Sequence, residues 1–171
     1  RRFLLAAGLS LAGGVTWSLP LEDKHLHSES DFLDDIAMSL GGRTAEKVVF
    51  GDITTGAEND LKHANGLARR MITEYGMGKE LNNRVFGESE GSVFLGRSFA
   101  EGRNYSEEVA ARIDEEVAKI IAQASKRAED TIAKHKSKLE LIVKTLIERV
   151  TIEGPDFEKL LASVDAKAPK K

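Results

Sequence analysis

Apolar residues recur at three- and four-residue spacing from Ser30 onward, at Phe32, Leu33, Ile36, Ala37 and Leu40. That period predicts an amphipathic helix. Ser28 or Ser30 can cap it, and Asp31 suits its positive end. The pair Gly41-Gly42 either stops this helix or lets another pack closely. The stretch AEKVVF, residues 45–50, completes the apolar face, and Gly51-Asp52 marks a turn. A second helical period runs from about Gly56 to Tyr75, with Leu61, Ala64, Leu67, Ala68, Met71 and Ile72 inward and Gly76 just past its end. Gly66 lies inside it at a cost of about 1 kcal/mol relative to alanine, which suggests close packing there. A third period is longer. Val109, Ile113, Val117, Ile120, Ala124, Ala128 and Ile132 form one stripe behind a Ser106 cap with Glu107 and Glu108 in the first turn. The stripe resumes at Leu139, Ile142 and Leu146 after the polar stretch AKHKSK. Two antiparallel helices joined near residues 134–138 fit this pattern best, with one bent helix as the alternative.

The remaining segments do not keep a helical period. Residues 3–20 are apolar, contain Val15, Thr16 and Trp17, and suggest one or two strands ending at Pro20. Residues 21–29 are polar and read as a loop. Residues 77–104 are glycine-rich and read as a loop region with a small hairpin. Gly154-Pro155 ends the long helical unit and starts a short helix, DFEKLLAS. Residues 165–171 read as a disordered tail after a domain spanning 1–164. The expected fold is mainly α, with a short N-terminal β element and a long C-terminal helical hairpin.

Composition removes several function classes. The 171 residues suffice for one domain with a real core. The net charge of −3 argues against nucleic acid as the main partner. There is no cysteine, so disulfides and thiolate metal sites are excluded, and a metal would need His, Asp or Glu. No apolar run reaches the ~20 residues that span a bilayer. The opening RRFLLAAG has the look of a short export signal, but no A-x-A site follows it. A truncation point at residue 1 is the preferred reading.

The chemistry-bearing residues are few. His25 and His27 sit two apart, which on a strand puts both on one face as a metal pair and in this charged loop leaves them exposed; His135 lies in the polar interhelical stretch and reads as exposed. Asp60 and His63 share one side of the second helix, as a solvated pair or as two ligands. No HExxH, G-x-S-x-G, G-x-x-x-x-G-K-[ST] or G-x-G-x-x-G occurs. Asp60 itself, behind the Thr-Thr-Gly of TTGAENDL (54–61), is either a dipole-stabilising acid or a ligand held at a helix start.

A resemblance changes the weight of these options. GGVTWSLPLED (13–23), LGGRTAEKVVFG (40–51), TTGAENDL (54–61), LARRMITEYGM (67–77), VFLGR (93–97) and RNYSEEVAARIDEEV (103–117) occur in order. Together they closely resemble the C-terminal peptidase domain of the FtsH-type membrane-anchored, ATP-dependent zinc metalloproteases. The similarity runs from about Gly13 to about Leu161, and residues 1–12 match poorly. The resemblance implies a zinc metalloendopeptidase whose metal is held by two His of an HExxH helix and by one Asp, which falls on Asp60. It implies ATP and magnesium only through an ATPase domain outside this chain, and membrane association only through an N-terminal anchor outside it. It also implies unfolded or membrane proteins as substrates, a homo-hexamer in the full-length protein, and the cytoplasmic face of a bacterial inner membrane. HExxH would lie before Arg1, so the isolated chain is expected to be inactive. Glu46 is expected to support the metal site without touching the ion, or to be a plain surface carboxylate. Val15, Thr16 and Trp17 are expected on an edge strand that pairs with substrate, or in a core strand. The competing function is a non-catalytic helical assembly module, a pseudo-peptidase.

Overall fold

A computed structural model describes residues 2–7, 14–19, 26–86 and 105–167. Side chains are described for 26–86 and 105–164. The chain divides into two compact units, residues 27–129 and residues 1–26 with 130–171.

The unit 27–129 is helical. Helix α1 spans Glu29–Ser39. Ser28 is its cap: the Ser28 hydroxyl accepts from the Asp31 N–H at 3.3 Å, and Asp31 Oδ2 accepts from the Ser28 N–H at 2.7 Å. This reciprocal pair satisfies two amides that a helix start otherwise leaves unbonded. Helix α2, Gly41–Phe50, follows with only Leu40 between. Leu40 ends α1 and starts α2, and its side chain is buried. Neither Gly41 nor Gly42 has an atom within 4 Å of where a Cβ would stand, so the pair opens α2 and makes no close packing contact. Gly51, at φ +74, ends α2 in the left-handed conformation that glycine adopts without cost.

A 3-10 turn, Thr55–Ala57, leads into α3, Glu58–Thr73. Ala64, Leu67, Ala68, Met71 and Ile72 of α3 are buried, as the period predicts. Gly66 is a correction: open space faces it, so its helix cost is not repaid by close packing. Helix α4 spans Glu107–Lys134. The Val109 N–H donates to Ser106 Oγ at 3.3 Å, which is the expected cap. Leu33 and Ile36 of α1, Leu40 at the α1–α2 junction, Ala64, Leu67, Ala68 and Met71 of α3 and Ala124 of α4 form one core. Ile72, Leu81, Phe86 and Ile113 form a second, with Tyr105 and Val109 against it. Ile36, Met71, Ile72 and Ile113 are fully enclosed. Each such side chain contributes about 1.5–3 kcal/mol by leaving water.

The segment 76–86 contains no strand, and the expected hairpin beyond it falls in 87–104, outside the described residues. What orders 76–86 is a buried acid. Glu116 of α4 is 3% exposed. Its carboxylate accepts from the Lys79 N–H at 3.0 Å and the Glu80 N–H at 2.6 Å. Gly78 lies so close that a Cβ there would overlap the carboxylate. Lys119, one turn along, donates to Glu80 at 3.0 Å. That hydrogen bond holds the Glu80 carboxyl below the usual carboxylate range.

The other unit joins a sheet to helices. Strands β1 (Arg2–Ala7) and β2 (Gly14–Leu19) pair antiparallel, with Leu4 opposite Trp17, Leu5 opposite Thr16 and Ala6 opposite Val15. A third strand, β3 (Thr151–Glu153), pairs with Leu4–Ala6, giving the order β2-β1-β3. The run FLLAA after the twin arginine therefore lies in the central strand. Helix α5 spans Lys136–Arg149, and only His135 separates it from α4, within the expected break at 134–138. Its neighbours include β1, β3 and α6. Helix α6, Gly154–Lys167, is longer than the sequence suggests, with Pro155 in its first turn.

Val150 closes α5 at φ +66 and ψ −34. A β-branched residue there is strained by about 1–2 kcal/mol. Val150→Gly should therefore raise stability by ~0.5–1 kcal/mol, and Val150→Ala should not; urea midpoints at constant slope test this. Glu116→Ala should cost about 1–3 kcal/mol by leaving the two loop amides without their acceptor, with Glu116→Gln costing less in the same titration.

Candidate functional site

The turn before α3 is built from side-chain hydrogen bonds. Thr54 has extended backbone and stands at the start of the 3-10 turn. Its hydroxyl accepts from the Gly56 N–H at 3.3 Å. Thr54 also donates to a second element: its N–H reaches Glu46 Oε2 at 2.9 Å, and its hydroxyl lies 3.1 Å from both Glu46 oxygens. Glu46 is on α2 and half-buried. One carboxylate thus holds the backbone and the side chain of Thr54 together. Hydrogen bonds to a charged acceptor contribute about 1.5–3 kcal/mol, less where solvent competes. Ala57, buried at the junction, anchors the other end of the turn.

Asp60 follows in the first turn of α3. It is exposed, and among the described residues nothing pairs with its carboxylate. Its place on the helix is the informative feature. Asp60, Ala64, Leu67 and Met71 are spaced four, three and four apart, so they share one side of α3. Ala64, Leu67 and Met71 are buried on that side. Asp60 therefore continues the core stripe past the point where the described residues cover it. Glu58, also in the first turn, points elsewhere and is tied to Lys62 at 2.6 Å. An ordinary solvated acid sits as Glu58 does.

The histidines do not join Asp60. His63 is exposed. His27 is exposed with its ring 5.5 Å from Phe32, and His135 marks the α4–α5 joint. His25 lies outside the described residues. Among the described residues, no three or more His, Cys, Asp or Glu side chains cluster as a metal site would require. Asp60 fits zinc as a single oxygen donor, and a hydrolytic zinc site needs two further protein ligands. β2, with Val15, Thr16 and Trp17, is an edge of its sheet, so one side of its backbone has no strand partner among the described residues.

Residues 6–160 match the profile of Peptidase family M41. The chain belongs to that family. It is 48% identical over 154 residues to "ATP-dependent zinc metalloprotease FtsH 1" of Thermoanaerobacter sp. (strain X514), a match covering 90% of this chain and 25% of that protein. It is 47% identical over 149 residues to "ATP-dependent zinc metalloprotease FtsH" of Thermotoga maritima, covering 87% of this chain and 24% of that protein. The like-named protein of Ruminiclostridium cellulolyticum is 41% identical over 157 residues, covering 92% and 25%. These relatives are bacterial, and the M41 chain spans about a quarter of their length. No helix among the described residues is long and apolar enough to cross a membrane.

The link that sequence reading missed is the one between Glu46 and Thr54, eight residues apart on different elements. Its local trace is Thr54 as a turn former and Glu46 midway along a helix. Nothing in the spacing joins the two. Glu46→Ala should lower stability by ~1 kcal/mol through the freed Thr54 amide, and Glu46→Gln should recover most of it, as read by thermal unfolding.

Proposed function

We propose that this chain is the metal-bearing peptidase part of an ATP-dependent zinc metalloendopeptidase, with Asp60 as one of three protein zinc ligands. The single observation that carries this reading is Asp60 itself: an unpaired carboxylate on the core-facing side of α3, at a helix start fixed by Glu46. The relatives, ATP-dependent zinc metalloproteases by name, supply the activity. Bound zinc would supply Lewis-acid polarisation of a peptide carbonyl and acidification of a water. Asp60 would hold the ion through its oxygens. Glu46 and Thr54 would fix the turn that aims Asp60 and would not touch the metal. The outer backbone of β2, at Val15, Thr16 and Trp17, would accept an extended substrate by strand addition.

The same reading extends to the longer protein. Its substrates would be unfolded or membrane proteins. ATP and magnesium would act in a separate ATPase domain. Assembly would be a homo-hexamer, held to the cytoplasmic face of a bacterial inner membrane by an anchor outside this chain. Residues 107–149, in α4 and α5, would contribute surfaces to that ring.

Calorimetric titration of the 171-residue chain with zinc at neutral pH should show only weak binding, since the described residues offer Asp60 without a clustered set. Tight one-to-one binding abolished by Asp60→Ala would contradict this and show a complete site within the chain. In a longer protein that carries this domain with its ATPase, Asp60→Ala should reduce peptide hydrolysis at least about 100-fold and leave ATP hydrolysis in place. Glu46→Ala should weaken zinc affinity about 10–100-fold, the range seen when a partner of a ligand is lost. Unchanged hydrolysis in Asp60→Ala would end the proposal.

A further inference from the structure

We infer that the exposed side of α2 beside the Asp60 turn is a docking surface for apolar segments of a polypeptide substrate. The inference rests on the peptidase reading above.

The surface is defined by helical spacing. Arg43, Glu46 and Phe50 are three and four residues apart, so they share one side of α2, with Val49 beside them. Glu46 fixes which side this is, because its carboxylate grips Thr54. Val49 and Phe50 therefore stand one turn beyond Glu46, on the side of α2 that meets the turn leading to Asp60. Phe50 is 79% exposed and Val49 48%. Ile53, next to Thr54, is 43% exposed. Gly51 ends the helix with a left-handed residue, so Phe50 is its last helical side chain and no following turn covers it. Three exposed large apolar residues within five positions are more than the scattered single ones that surfaces carry as a matter of course.

The size of the surface selects its occupant. A stable dimer buries roughly 800 Å² on each partner. Phe50, Val49 and Ile53 cannot supply that, since even an aromatic side chain covers only ~150–250 Å² when fully buried. A few apolar anchors beside a reactive centre suit a partner that binds briefly and passes on. An unfolded polypeptide offers such anchors with an extended backbone. Arg43 adds the polar component: it is half-buried and has no hydrogen-bond or ion-pair partner among the described residues. Its guanidinium carries five donors and no acceptor, which suits main-chain carbonyls of a bound chain. The surface contains no surplus of positive charge that would favour a nucleic acid.

The test uses the 171-residue chain and a fluorescein-labelled extended peptide rich in Phe, Leu and Val, followed by fluorescence anisotropy. The control peptide replaces those residues with Ser. The wild-type chain should bind the apolar peptide and not the Ser peptide. Phe50→Ser should weaken binding about tenfold, the loss typical of a buried anchor. Far-UV circular dichroism and the unfolding midpoint should stay unchanged, because Phe50 is exposed. Ile147→Ser removes an equally exposed apolar side chain, 78% exposed, from α5 and should change nothing. Asp60→Ala should bind the peptide as wild type does, even where it abolishes a zinc signal, so failure of the docking surface and failure of the metal reading show separately. Equal binding by Phe50→Ser and wild type overturns the inference, as does equal loss in Ile147→Ser. Absence of peptide binding overturns it too. Sedimentation showing a dimer that Phe50→Ser dissolves overturns it in favour of a second copy of the chain.

Discussion

The structure of the unit 27–129 depends on the burial of one stripe of α3. Ala64, Leu67, Ala68, Met71 and Ile72 contribute to both apolar clusters. Removing them from water supplies the free energy that packs α1 and α4 against α3. The same stripe sets the direction of every other α3 side chain, because a helix has one rotation per residue and no freedom to re-aim a single position. Asp60 inherits its direction in this way. Had the stripe been shifted by two residues, the carboxylate would lie on the side of Glu58.

Burial alone does not fix where the helix starts. Helix termini fray, and the first turn lacks internal partners for its amides. Here the start is held from a different element. Glu46 takes both donors of Thr54, and Thr54 in turn takes the amide of Gly56. α2 and α3 are thereby tied at the residue where the chain changes direction. A comparable arrangement orders the other end of α3. There Glu116 takes the amides of Lys79 and Glu80, and Gly78 allows the approach. The core thus sets orientation, and two carboxylates set the path of the chain on either side of it.

This division explains what was legible in the sequence. Apolar periodicity is local, so α1, α3 and α4 and their inward residues could be read directly, and so could the Ser28 and Ser106 caps. Residues 3–20 read as strands because β-branched and aromatic residues cluster there. β3 was not legible: three residues carry no period, and Thr151–Glu153 is a strand because β1 offers it an edge. Glu116 was not legible either. Within the α4 period it looks like one more acid among Glu107, Glu108 and Glu115, and only the amides of Lys79 and Glu80 make it a core residue. Gly66 misled for the converse reason. A helix glycine costs the same whether it faces a neighbour or solvent, and here it faces open space. For the site, Asp60 was singled out through resemblance alone, and Glu46 was an even choice. The Thr54 bonds give Glu46 a definite structural task.

The pseudo-peptidase alternative can be weighed on the same physical grounds. A domain kept only as a scaffold is under no constraint to leave an acid unpaired at the end of its core stripe. A lysine or an apolar residue at position 60 would be equally compatible with the burial of Ala64 and Leu67. The helix dipole does not require Asp60 either, since Glu58 already occupies the first turn and is satisfied by Lys62. The Glu46 carboxylate likewise adds nothing to apolar burial, and an α2 of the same length could end at Gly51 without it. The Thr54 bonds account for Glu46 structurally. On the proposed reading the turn they hold also aims Asp60, the kind of support a metal ligand receives from the residues around it.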